Sequence, residues 1–386
     1  MDTEKILSIE YVDDQQKLLS CENHLRETSE FSFDLEFDNN HYSYGITLCL
    51  IQISTAERCF VIDTMQPLDL SGLFGIFENK ALQKVCFSPD QDLMLLNSLN
   101  CKPQNMFDVA VAAKLLNTPS TGLGAILENK LNLVLDKKLQ KSNWSKRPLS
   151  QEQIRYSADD VKYLITLRNM FLEEAGQKRI GSWIQEENTA LDTFFTEEKK
   201  TDDFLNRKEK ESLSDHTLFA LNELLKYAHA LGKKINKPVG WLISKDLLID
   251  LVRNRISIEE IPGLKGLHPQ FKGPEFKQHY EKVMQEADGK GLSKRSQNPK
   301  PTFAQIEEKK RQKSLAESMK VSTFYPIKKV ISERYGEFAA EYILGESQMN
   351  LLASKKTTIA GLKMKYRIDL INSVAVELGI NLSEYQ

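Results

Sequence analysis

The stretch FSFDLEFDNNHYSYGITLCLIQISTAERCFVID (31–63) decides the fold. It holds three β-rich runs, FSFDLEF (31–37), ITLCLIQIS (46–54) and RCFVID (58–63), parted by short segments of Asn, His, Tyr, Gly and charged residues. Aromatic and β-branched side chains suit a half-buried pleated surface, so the three runs read as an antiparallel meander. In the first run the period of two sends Phe31, Phe33, Leu35 and Phe37 to one face and Ser32, Asp34 and Glu36 to the other. Two carboxylates side by side on a Phe-rich strand are costly unless they are solvated or paired with cations. Taken alone, this strand is compatible with a solvated acidic face and with a cation site.

Working outward, QKVCF (83–87) is a fourth short strand, after a helical stretch near Leu70–Asn79. Helical patterns follow at Pro89–Leu99, Phe107–Leu116, Leu123–Leu131 and Gln151–Glu174, the last opened by Ser150 as an N-cap. Residues 1–195 therefore read as one α/β domain, a mixed sheet flanked by helices. Residues 196–211, rich in Lys, Glu, Asp and Asn, read as a charged linker. Residues 212–290 read as all helix: LFALNELLKYAHAL has apolar residues at helical spacing, Lys237-Pro238 breaks it, and SKDLLIDLVRNR restarts it with Ser244 as the cap. A polar Gly/Ser/Asn/Pro stretch between Gly289 and Pro301 opens a basic linker or helix (291–320). Residues 321–386 are helical again and suggest a further bundle.

Composition narrows the classes. With 386 residues, 41% hydrophobic and 27% charged, the chain has the make-up of a multidomain globular protein. No apolar run approaches the roughly 20 residues that span a bilayer, and MDTEKILSIEYVDD has neither the basic nor the apolar part of a secretion signal. The five cysteines (Cys21, Cys49, Cys59, Cys86, Cys101) include no CxxC pair and read as buried reduced thiols of a cytoplasmic protein. Net charge is −2, yet residues 265–330 hold 15 Lys and Arg against 7 Asp and Glu, a local excess of +8 that suits phosphate binding. The P-loop pattern GxxxxGK[ST] is absent, so no nucleotide cofactor is expected. His24, His41 and His216 have no metal-ligand spacing, and Asp108 reads as an N-cap.

The chemistry lies in the acids. Tyr156 and Asp160 stand at i and i+4 on the helix opened by Ser150 and share a face. Asp92 opens the apolar part of PDQDLMLL, with Asp90 as its competitor. Asp34, Glu36, Asp92 and Asp160 together could supply oxygen ligands to divalent cations.

Asp-x-Glu on a first strand, an Asp on a later helix and Tyr-x-x-x-Asp on a final helix resemble the DEDDy exonucleases. NWSKRPLSQEQIRYSADDVKYL (143–164) is similar to the third motif of ribonuclease D, and DLEFDNNHYSYGITLCLIQIS (34–54) to its first. Motif two departs from the pattern: Phe87 stands where many relatives carry His, and DLMLL favours Asp92 over Asp90 as its acid. HTLFALNELLKYAHALGKKINKPVGWLISKDLLIDLVRNRISIEEIPGLKGL (216–267) resembles an HRDC bundle, and 321–386 is a weaker echo of one.

The resemblance implies a ribonuclease H-like exonuclease domain followed by HRDC-type helical bundles. It implies a 3′-5′ exoribonuclease that releases nucleoside 5′-monophosphates, acting on RNA 3′ ends such as those of tRNA precursors. Asp34, Glu36, Asp92 and Asp160 would hold two divalent cations, Mg²⁺ or Mn²⁺, and Tyr156 would orient the attacking water. A DNA-directed exonuclease of the Werner type and a catalytically silent RNA-binding scaffold are the alternative readings. Because the catalytic strings end near Glu174, a fragment ending near Lys200 is expected to fold alone.

Overall fold

The computed structural model describes residues 7–119, 122–193, 203–294 and 302–385. They fall into two compact units, the first within Met1–Glu36, Leu48–Thr196 and Gln305–Gln386, the second within Phe37–Thr47 and Glu197–Ala304.

The described strands form one mixed sheet: β1 (Ser8–Val12), β2 (Glu30–Asn39), β3 (Ile46–Ser54), β4 (Arg58–Asp63), β5 (Gln83–Cys86) and β6 (Met106–Asp108), in the order β1-β4-β3-β2-β5-β6. The meander read from the sequence is present, with Gln52 opposite Val61 and Ser54 opposite Cys59 in the antiparallel β3–β4 pair. β1 joins β4, β5 joins β2 and β6 joins β5, all in parallel.

The two faces of β2 have opposite fates. Phe31 and Phe33 meet Phe77 of the helix Ser71–Glu78 edge-on, with ring centroids 5.3 and 4.9 Å apart. On the other face the Ser32 hydroxyl donates to the Val161 carbonyl at 2.8 Å, with the Ser54 carbonyl also in reach at 3.2 Å. Val161 lies in the helix Gln151–Lys162, whose N-terminus is closed by a Ser150–Gln153 capping box. The strand face that carries Asp34 and Glu36 is thereby tied to the helix that carries Tyr156 and Asp160.

Several boundaries differ from the sequence reading. β1 and the helix Gln15–Arg26 were not foreseen, because SIEYV is short and carries acid and aromatic residues without clear alternation. Met106–Asp108 is a strand, too short for periodicity to register, and its helix begins only at Val109, capped by Asp108. The pattern 151–174 is two helices, Gln151–Lys162 and Leu164–Lys178, bent at Tyr163.

The C-terminal helices depart furthest from expectation. Phe324, Ile327, Ile331, Ala340, Ile343, Met349, Ile371 and Val374 share one hydrophobic core with Val85, Ala112, Leu115, Leu127, Leu167, Phe171 and Ile184. The segment expected to be a separate bundle at 321–386 is thus packed into the first unit. A fragment ending near Lys200 would leave the apolar faces of Val109–Leu115, Leu164–Lys178 and Gly181–Leu191 uncovered, against the expectation that it folds alone.

A buried polar network crosses this core. Glu187 accepts from Arg367 Nη2 at 2.6 Å, Tyr366 Oη at 2.6 Å and Tyr342 Oη at 3.1 Å. Gly336, at φ +96°, lies so close to the Asn117 side chain that a Cβ would stand 2.0 Å from it, while Asn117 accepts from Phe338 N–H at 2.8 Å.

The second unit is helical around Leu221, Leu224, Leu225, Ala228, Leu248, Leu251, Phe271 and Phe276. Its helices Asp215–Ile235 and Lys245–Val252 are capped by Ser214 and Ser244, and Ile258–Gly263 forms a 3₁₀ turn containing Pro262. The tip of the β2–β3 hairpin belongs to this unit: Tyr44 Oη lies 3.0 Å from His229 Nδ1, and Tyr44 N–H donates to Asn236 Oδ1 at 3.1 Å. The expected linker lies partly outside the described residues, and its described end includes the helix Arg207–Ser212.

The Glu187 network supplies a stability test. Glu187→Ala strands Arg367 in a buried setting, and breaking such a pair costs about 3–5 kcal/mol. Urea unfolding of Glu187→Ala is expected to show a loss of this size with an unchanged m-value. A loss below ~1 kcal/mol would show that water replaces the carboxylate.

Candidate active site

Asp34 and Glu36 leave β2 on the face closed by the helix Gln151–Lys162, and Asp160 meets them from that helix. Each of the three presents a carboxylate oxygen, all within 4.8 Å of one another. Asp92 stands in the first turn of the helix Asp90–Ser98, 8% exposed, outside that tight trio but close enough for its charge to act on Asp34 and Glu36. Asp90 is exposed. The structure therefore gathers Asp34, Glu36 and Asp160 at one point, sets Asp92 beside them and leaves Asp90 in solvent.

Burial and mutual repulsion dominate the electrostatics. Burial, followed by Asp92, raises the Asp34 carboxyl well above the ordinary range. Burial, then Asp34, Asp160 and Asp92, pushes Glu36 up to about 10. Burial and Asp34 push Asp160 to about 8, while burial and Asp90 push Asp92 to about 7. Among the described residues no Lys or Arg forms an ion pair with any of the four. Converging carboxylates without a protein cation are a donor set for hard divalent ions, which take oxygen ligands.

Tyr156 lies one helical turn before Asp160, and its ring stacks on Trp144 at 6.0 Å and 29°. Burial and the nearby acids raise its hydroxyl well above the ordinary phenol range, so it stays protonated. Tyr156 and Asp160 line a cavity of ≈ 470 Å³ that also receives Arg155 and Lys138.

Sequence reasoning missed the residues that hold these groups in place. Arg147, inside the third-motif string, donates through Nε to Asp63 Oδ2 at 2.7 Å, through Nη2 to Asp63 Oδ1, and through Nη1 to the Trp144 carbonyl at 2.6 Å. Tyr11 adds a hydroxyl bond to Asp63 at 2.6 Å. Burial alone would raise Asp63, but the bonds from Arg147, Tyr11 and Gln66 outweigh it and hold the carboxyl below its usual range. The Trp-x-x-Arg-Pro-Leu string thus serves as a clamp that fixes Trp144 and, through it, Tyr156. Its partner Asp63 ends β4, some 80 residues away, and nothing local marks it.

Asp108, foreseen as a cap, also accepts from Ser88 N–H at 2.8 Å and so holds the left-handed residue (φ +52°) that leads into the Asp92 helix. Phe87 packs on the main core, where no ligand is needed. Gln52 is fully buried on the helix-facing side of β3, and neither of its amide atoms has a partner among the described residues.

Residues 9–175, which carry the mixed sheet and the converging carboxylates, match the model of a 3′-5′ exonuclease family. Among curated proteins the chain is similar to ribonuclease D. It is 30% identical to ribonuclease D of Desulfotalea psychrophila over 218 residues, 55% of this chain and 58% of that one. It is 30% identical to ribonuclease D of Sphingobium indicum over 244 residues, 62% and 63% of the two chains. Human exosome complex component 10 is 28% identical over 266 residues, 66% of this chain and 28% of the relative. The alignments thus span about three-fifths of the two ribonuclease D relatives. The crystal structure of Escherichia coli RNase D shares the fold, with a TM-score of 0.70 over 96% of this chain and 99% of that one at 19% identity. The resemblance to ribonuclease D read from the motifs is borne out.

The raised acids set a pH dependence. An acid with a raised folded-state value binds more protons folded than unfolded, so its stabilising contribution is lost as pH rises through that value. For Asp92 and Asp160 the window runs from about 4, the unfolded value, to about 7 and 8. The melting temperature in chelator is expected to fall between pH 5 and 9, and saturating Mg²⁺ or Mn²⁺ to raise it more at pH 9 than at pH 6. A chelated protein that grows more stable across this range would contradict the site.

Proposed function

We propose that the protein is a metal-dependent exoribonuclease that removes nucleoside 5′-monophosphates from RNA 3′ ends. The observation that carries the reading is the convergence of Asp34, Glu36 and Asp160 within 4.8 Å, with no Lys or Arg paired to them among the described residues. The kinship with ribonuclease D supports RNA as the substrate, and tRNA precursors and other structured RNAs are the substrates we infer. The five free, buried thiols fit a cytoplasmic setting.

Asp34, Glu36 and Asp160 would hold the cations directly, with Asp92 completing the second position. Two divalent ions, Mg²⁺ or Mn²⁺, would supply Lewis acidity at the scissile phosphate, toward both the attacking water and the leaving 3′-oxygen. The protein's own part is to keep the carboxylates converged against their repulsion and to aim Tyr156. A phenol held protonated is no general base, so its hydroxyl orients the water while the Trp144 stack fixes the ring. Arg155 and Lys138, lining the cavity beside Tyr156, are placed to meet phosphate oxygens.

Release of nucleotides from 5′-labelled RNA tests the assignment. Asp34→Asn is expected to abolish hydrolysis while RNA is still bound, and Asp92→Asn to lose far more activity than Asp90→Asn. Near-normal turnover of a folded Asp34→Asn protein would remove the metal assignment.

Tyr156→Phe deletes only the hydroxyl. It is expected to lower kcat ~10²–10³-fold, about 2.7–4 kcal/mol of barrier, with KM little changed. An unchanged kcat would take Tyr156 out of the chemistry. Parallel assays on RNA and DNA of one sequence decide against a DNA-directed enzyme if only RNA is shortened.

A further inference from the structure

The second unit carries an aromatic ring in solvent. Trp241, in the short helix Val239–Leu242, is 55% exposed, whereas Trp144 is 4% exposed and Trp183 lies between Tyr335 and Tyr366 with centroids 4.9 and 5.0 Å away. The local sequence explains the exposure. The helix Asp215–Ile235 ends in Lys233 and Lys234, Asn236 reverses the chain at φ +50°, and Pro238 and Leu242 are buried, which leaves Trp241 facing outward.

The lysines next to the ring in the chain are uncompensated. Lys237 Nζ stands 5.4 Å from the Trp241 ring centroid. Lys233, Lys234 and Lys237 are all exposed, and among the described residues none has an acidic partner. Elsewhere in the same unit Lys226 is paired with Glu223 and Lys245 with Glu209. Lys208 and Lys265 of this unit are exposed and without an acidic partner too, so what sets the patch apart is the exposed indole with Lys237 on its ring and Lys233 and Lys234 in the last turn of the helix before it.

An exposed indole beside unpaired ammonium groups is the recognition chemistry of single-stranded nucleic acid, in which a base stacks on the ring and the cations meet phosphates. An acidic peptide would use the cations but has no need of a flat ring, and an apolar partner would be repelled by three bare charges. We propose that Trp241, with Lys233, Lys234 and Lys237, is a stacking platform for single-stranded RNA, outside the carboxylate cluster. The proposal rests on the RNA reading above and deepens it by naming a second point of grip.

The test uses the full chain carrying Asp34→Asn, so that RNA is bound and not consumed. Titration with a 12-nucleotide oligouridylate is expected to quench tryptophan emission, because Trp241 is the tryptophan open to a base. By polarisation of a labelled oligomer, Trp241→Ala is expected to weaken Kd roughly 5- to 100-fold, with Trp241→Phe recovering much of the loss. Replacing the three lysines by alanine is expected to flatten the slope of log K against log[salt] by up to about 2. An unquenched emission together with a Trp241→Ala Kd within twofold of the parent overturns the platform, as does quenching by polyglutamate and not by RNA. Turnover of RNA by the wild-type protein with a silent Trp241 removes the platform alone. Quenching by RNA in a protein that degrades none keeps the platform and removes the exoribonuclease reading.

Discussion

Three carboxylates held within 4.8 Å of each other, two on the inner face of the sheet and one on the helix Gln151–Lys162, are the constraint to which the first unit is built. At that separation, and at an effective dielectric of about 20, two unit charges repel by roughly 3 kcal/mol. The chain has to hold them together by other means. It does so from both sides of β2: Phe31 and Phe33 seat the strand on Phe77, and Ser32 ties it to the Val161 carbonyl one residue after Asp160. The acids are converged by groups that are themselves uncharged, and among the described residues no Lys or Arg pairs with them.

Aspartate illustrates how partners set chemistry. Asp63 and Asp160 both lie in the first unit, yet their titration moves in opposite directions. Asp63 has a guanidinium fork and a phenol donating to it, and it stays ionised as a structural anchor. Asp160 has only burial and other acids for company, and it is driven toward its neutral form. The donors make the two differ: Arg147, Tyr11 and Gln66 all bond Asp63, and Arg147 spends its remaining N–H groups on the Trp144, Lys146 and Cys49 carbonyls.

What the sequence shows depends on the range of the interactions. Asp34, Glu36, Tyr156 and Asp160 are legible because each sits in a periodic element, where spacing along the strand or helix places side chains on a common face. The meander and the Ser150, Ser244 and Asp108 caps are legible for the same reason: their determinants are local. Asp63, Ser32 and Gln52 are invisible because their roles arise from contacts between elements far apart in the chain. β1 and β6 escape because three to five residues give periodicity too little to act on.

The C-terminal helices show where a local reading misleads. Their apolar periodicity is real, but periodicity says only that a face is buried, not against what. In the first unit the helices Val109–Leu115, Leu164–Lys178 and Gly181–Leu191 have more apolar surface than the sheet can cover, and the residues from Phe324 onward supply the remainder. The Glu187–Arg367–Tyr366 network then fixes the register of this packing, since a shifted helix would leave a buried charge without its partner. Packing at this distance still bears on the site. The helix Leu164–Lys178 follows Gln151–Lys162 after a single residue, so whatever steadies the former against the C-terminal helices also limits how far Asp160 can retreat from Asp34 and Glu36.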